Sequence, residues 1–167
     1  SYAGIANKTS LSFTTADETA PTISSSSPAD DATAVATTSN IVLNFSEAVD
    51  VETGNIVIYK ASDDSVVETI DVTSSKVTGT GSTQITINPG SDLAESTSYY
   101  VQIAATAFDD PSSNSYAGIA NKTSLSFTTA DETAAQITGS SGSAGDATSA
   151  KSIKENITSV HGFTANE

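Results

Sequence analysis

Twenty acids against six bases, every base a lysine, give this 167-residue chain a formal charge of −14, and the acids sit almost wholly in turns. Carboxylates and loop carbonyls are hard oxygen donors, the ligand type that calcium takes. The candidate calcium ligands fall into two sets. One joins Asp17 and Glu18 to Glu47, Asp50, Glu52, Asp109 and Asp110. The other joins Asp30, Asp31, Asp63 and Asp64 to Asp131 and Glu132. No dense Asp-x-Asp-x-Asp-Gly loop fixes a geometry, so solvated turn acids are the competing reading.

Other chemistries fail on inventory. His161 is the only histidine and there is no cysteine, which removes thiol catalysis, thiolate metal sites and disulfides. Serine and threonine without a positioned base are weak nucleophiles. Paired carboxylates for glycoside hydrolysis are available by number, yet every acidic pair lies in a turn of a repeated module. No glycine-rich loop runs from a strand into a helix to cradle a phosphate. An enzyme is not expected, nor any cofactor beyond calcium. A nucleic-acid partner would need clustered Lys and Arg, and insertion into a membrane would need an apolar run of about 20 residues; the chain offers neither.

The loops must hang on strands, because period-two alternation dominates and no stretch keeps a helical period. Ser39 to Ser46 places Ile41, Leu43 and Phe45 on one face. Asn55 to Lys60 offers Ile56 and Ile58 against Val57 and Tyr59, and leaves the buried side open. Val66 to Val72, Thr83 to Asn88, Ser98 to Ala107 and Lys122 to Thr129 follow, after a short first strand near Thr22 to Ser26. About seven strands with turns at this spacing predict an all-β fold, an Ig-like β-sandwich. Leu93, Thr97 and Tyr99 stand at the Leu-x-x-x-Thr-x-Tyr spacing of a tyrosine corner. Alternate connections of such a sandwich fall at opposite poles, which is what assembles the two sets of acids. The alternating Thr and Ser positions are ordinary strand filling and form no regular ladder for ice or sugar.

Ser1 to Ala20 recurs letter for letter as Ser115 to Ala134, an offset of 114 residues, the length of a small domain. Residues 1–20 are therefore expected to be the C-terminal strand of a preceding repeat, and 21–134 one complete domain. Residues 135–152 are Gly/Ser/Ala-rich and read as a linker, and 153–167 as the truncated start of another domain, largely disordered. One sandwich has a single slot for its last strand. The first copy is then an orphan segment, loose or donated to another molecule's sheet at high concentration.

The runs Ala20-Pro21-Thr22-Ile23, Ser27-Pro28-Ala29-Asp30, Ile41 through Asp50, the Leu93 to Tyr99 corner and the closing Leu125 to Thr129 resemble the bacterial Ig-like repeats of S-layer proteins and large surface adhesins. The resemblance spans about residues 21–134. It implies a β-sandwich used in tandem as a spacer, stalk or adhesive rod, extracellular or on the cell surface, whose partners are neighbouring repeats. An alternative implied role is a carbohydrate- or protein-binding module of an adhesin or hydrolase, taking a sugar or host-surface ligand through the loop at 109–121. That loop departs from the shorter Asp-x-x-Gly-Asn turn of such repeats. Ile153 to Asn156 and Phe163 to Asn166 are similar to the opening of bacterial cadherin-like domains, with Glu155 in the place of a calcium-ligating glutamate.

Overall fold

A computed structural model describes residues 12–133. The expectations for residues 1–11 and for the linker and cadherin-like start beyond residue 134, including Glu155 and His161, lie outside the described residues. Ten strands run in chain order: β1 (Ile23–Ser27), β2 (Ala32–Val35), β3 (Ile41–Val51), β4 (Asn55–Lys60), β5 (Val66–Asp71), β6 (Val77–Thr78), β7 (Ser82–Ile87), β8 (Ser98–Ile103), β9 (Phe108–Asp109) and β10 (Ser126–Thr129). Seven match the strands expected from alternation; β2, β6 and β9 are additional and short.

The strands make two sheets. One has the order β1-β3-β7-β6, with β9 added on β3, and the other the order β2-β10-β8-β4-β5. Each sheet turns its apolar positions inward, as period-two side-chain placement requires. Ile41, Leu43, Phe45 and Val49 of β3 face Ile56 and Ile58 of β4 and Tyr99, Val101 and Ile103 of β8 across one shared core. The side left open by the alternation of β4 is thereby decided for the isoleucines. Val57 and Tyr59 face outward, where Tyr59 stacks on Tyr100 with ring centroids 4.8 Å apart. Polar and charged neighbours cover this outer pair: Asp64 accepts hydrogen bonds from the Tyr100 hydroxyl at 3.2 Å and from Lys122 Nζ at 2.6 Å.

The chain changes sheet between β1 and β2. β1 pairs antiparallel with β3, whereas β2 pairs parallel with the last strand, Ala32 opposite Phe127 and Val35 opposite Thr129. The tyrosine corner is present: the Ala94 N–H donates to Tyr99 Oη at 2.9 Å, closing the connection ahead of β8.

The 109–121 connection is built into the core. Tyr116 and Ile119 are buried, and the Tyr116 ring meets Phe45 edge-on with centroids 5.4 Å apart. Gly118 makes this possible: at φ +75° a Cβ would lie 2.6 Å from the Ile103 carbonyl oxygen, so only glycine lets the loop lie on the end of β8. Of the first copy of the repeated segment, residues 12–20 carry no strand and are exposed. Phe13 is 85% exposed, while its counterpart Phe127 is 3% exposed in the core.

Candidate functional site

The acids do not gather as evenly as pole geometry suggested. Asp17, Glu47 and Asp110 each bring a carboxylate oxygen within 4.8 Å of the other two, and they are the one such cluster of three or more among the described residues. Three elements supply them: the segment leading into β1, the second half of β3, and the turn after β9.

Asp110 is the fixed member, 2% exposed. Its Oδ1 accepts the N–H of Ser112 and of Asn114, both at 2.8 Å, and its Oδ2 accepts Asn114 Nδ2 at 2.9 Å. The Asn114 side-chain amide, helped by the two N–H groups, holds the Asp110 carboxyl below the usual carboxylate range despite its burial. Asn114 also reaches the incoming chain, its Nδ2 donating to the Asp17 carbonyl oxygen at 3.0 Å. Glu47 moves the other way. Partial desolvation, then the charges of Asp17 and Asp110, push its carboxyl above the usual range. Three carboxylates at this spacing repel one another, and a divalent cation would relieve all three at once.

The other acids of the first set are placed apart from this cluster. Asp50 and Asp109 lie opposite each other in the β3–β9 pair, and Asp50 Oδ1 accepts Thr80 Oγ1 at 3.4 Å. Glu52 bonds through its backbone, N–H to the Ala107 carbonyl at 3.0 Å, and Glu18 is exposed.

The second set divides because β2 runs parallel to β10. Asp30 and Asp31 fall at the start of β10, where Asp30 Oδ1 accepts the Ser126 N–H at 2.9 Å and Asp31 Oδ1 accepts Ser126 Oγ at 3.0 Å. Asp131 and Glu132 follow the end of β10. There Glu132 caps Thr37, accepting its N–H at 3.2 Å and its hydroxyl at 2.9 Å. Asp63 and Asp64 sit in the β4–β5 turn, Asp63 held below the usual range by the Ser65 hydroxyl and N–H, Asp64 by Lys122.

The surface outside sheet β2-β10-β8-β4-β5 carries a shallow depression of about 330 Å³, lined by Ser98, Tyr100, Lys122, Ser126 and Thr128 among others. Tyr100 is 4% exposed, so its ring presents little face for a sugar to stack on.

Asn114 and Glu132 are the two residues that sequence reasoning underrated. In the sequence Glu132 stands out only as a candidate cation ligand, and Asn114 only as one polar residue of the 109–121 loop. The legible signal for Asn114 was its place four residues after Asp110, a spacing that lets an amide cap a carboxylate.

Family comparison agrees with the architecture. A family described as Bacterial Ig-like domain matches residues 17–129. Among solved structures, the crystal structure of the S-layer protein rSbsC(31-844) is similar with a TM-score of 0.45 and 14% identity, over 70% of this chain and 14% of that one. The chain thus spans a small part of that protein's length. No curated protein matches.

Proposed function

Because the chain belongs to the bacterial Ig-like domain family, we propose that it is a non-catalytic structural repeat, a spacer or stalk segment of a large cell-surface or secreted adhesin-like protein. The observation that carries this is the duplication of Ser1–Ala20 as Ser115–Ala134 around one sandwich, together with where the two ends of that sandwich lie. The chain comes in beside Glu47, in the second half of β3, and goes out beside Thr37, just before β3 begins. A domain entered and left towards opposite ends of its long central strand stacks end to end, the geometry of a rod. In this reading residues 1–20 close a preceding repeat and 21–134 form the next.

Calcium at Asp17, Glu47 and Asp110 is part of the proposal. The cluster joins the incoming linker to strand β3 and to the turn after β9, so an ion there would stiffen the joint. What supports it is the meeting of three carboxylates from separate elements, where desolvation and then the charges of Asp17 and Asp110 raise Glu47 and the Asn114 amide keeps Asp110 charged.

The competing role, a binder of carbohydrate or host protein through the 109–121 loop, draws less from the structure. Tyr116 and Ile119 spend the apolar surface of that loop on the domain's own core. A screen of the full chain against glycans and host-surface proteins separates the two roles. The spacer gives no saturable binding; saturable binding lost on Ser112→Ala and Ser113→Ala, which lie at the exposed tip, would establish the binder instead.

A further inference from the structure

β10 fills a slot between β2 and β8 whose walls come from elsewhere in the chain. Leu125 and Phe127 drop into the core, the Phe127 ring beside Tyr99 with centroids 5.9 Å apart. The Leu125 carbonyl accepts the Val101 N–H at 2.9 Å, and the Ala130 N–H, just past the strand, donates to the Val35 carbonyl at 2.7 Å. Asp30 Oδ1 accepts the Ser126 N–H at 2.9 Å, and Thr129 Oγ1 donates to the Ala94 carbonyl at 2.7 Å. These partners all lie between Asp30 and Val101, outside both copies of the repeated segment.

The chain carries a second copy of what fills the slot. Residues 10–16 repeat 124–130 letter for letter, with Leu11 for Leu125, Ser12 for Ser126, Phe13 for Phe127, Thr15 for Thr129 and Ala16 for Ala130. Residues 12–16 are exposed and lie in no strand, and Phe13 is 85% exposed. Within one molecule the first copy is badly placed to take the slot. A strand there ends beside Val35, whereas the chain must enter β1 at Thr22, whose carbonyl accepts the Ser46 N–H in the second half of β3. Residues 17–21 would have to run back along β3 and across to the other sheet almost fully stretched, and Asp17 would leave Asn114.

We infer that residues 10–16 are a donor strand that closes the sandwich of a second copy of this chain, in the register of β10, parallel to β2 and antiparallel to β8. The slot's contacts are the same for either copy. The molecule's own strand is favoured by its covalent tether, worth an effective concentration on the order of millimolar. Donation is therefore a minor state of the intact chain and takes over where the resident strand is weakened. Donor and slot are different surfaces, so the contact is head-to-tail and molecules add in open rows. The inference stands on the duplication and on the exposure of the first copy, and does not need the spacer reading.

The test is Phe127→Ala in the full chain, with Phe13 left in the first copy. Losing a buried phenylalanine weakens the resident strand about a hundredfold or more. Donation should then prevail above about 10 µM, the tether's effective concentration divided by that factor. In sedimentation velocity the parent should stay mostly monomeric, and Phe127→Ala should form oligomers that return to monomer on dilution. Phe127→Leu, which keeps an apolar side chain, should do the same at higher concentration if the alanine variant does not fold. Adding Phe13→Ala to either should abolish the association. Register is read by adding Thr14→Cys and Ser98→Cys: Thr128 Oγ1 lies 2.8 Å from Ser98 Oγ, and the chain has no cysteine of its own. The introduced thiols should link different molecules into a ladder on a non-reducing gel. Monomers throughout, a disulfide closed within one molecule, or association that survives Phe13→Ala would overturn the donor strand. None of these results bears on the spacer reading, which fails by saturable ligand binding instead.

Discussion

Asn114 Nδ2 donates both to Asp110 Oδ2, at 2.9 Å, and to the Asp17 carbonyl, at 3.0 Å, so one amide ties a buried carboxylate of the sandwich to the chain that leads into it. Asn114→Ala breaks both ties while leaving the apolar core untouched. The variant is expected to melt lower than the parent and to lose most of any calcium-induced gain in melting temperature.

Calcium is tested through Glu47, the member of the cluster whose charge is disfavoured by burial and by its two neighbours. Adding calcium to the chelated protein should raise the melting temperature, since a ligand that binds only the folded state stabilises it. Glu47→Gln should raise the midpoint in chelator, by removing the repulsion, and should abolish the response to calcium. A parent midpoint that is the same in calcium and in chelator refutes the site.

The carboxyl shifts set opposite slopes in two pH windows. Glu47 is raised, so between its ordinary value of 4.5 and its folded value the folded state holds more protons, and stability falls as pH rises through that window. Asp63, Asp64, Asp71 and Asp110 are lowered. Below about 3.8 the unfolded state holds more protons, so their contribution is present above that value and is lost as pH falls through the folded values. Melting midpoints in chelator should rise on acidifying from neutral pH, peak just above the lowered group, and then drop. In Glu47→Gln the rise should shrink and the acid-side drop should remain.

Phe13 and Phe127 hold the same place in the repeated segment with opposite burial. Phe127→Ala should destabilise the protein by about 3–5 kcal/mol, the usual range for a buried phenylalanine. Phe13→Ala should leave the midpoint unchanged. Equal losses would show that residues 1–20 pack into the same sandwich and would refute the proposed domain boundary.

Much of this architecture is legible in the sequence because its causes are local. The alternation of Ile41, Leu43 and Phe45 marks β3, and the spacing of Leu93, Thr97 and Tyr99 marks a corner whose hydrogen bond is now seen. β2 escapes such reading. Ala32 to Val35 carries little apolar weight, and its pairing is parallel to a strand far along the chain. Tyr116 and Ile119 escape it for a related reason: they are single apolar residues among Ser, Asn, Ala and Gly, and only the closure of the loop over Phe45 buries them. Pole geometry places Asp17 beside Glu47 and Asp110, yet it does not separate these from Asp50 and Asp109, because the β3–β9 pairing that takes those two away has no local signature.

The central claim is that this sandwich is one unit of an extended rod, and small-angle scattering tests it most directly. Compared with the chain itself, a chain lengthened by one further copy of residues 21–134 should gain in maximum dimension by about the length of one sandwich, at an unchanged cross-section. A lengthened chain whose cross-section grows while its maximum dimension stays the same would mean that the repeats fold back on one another, and would contradict the account.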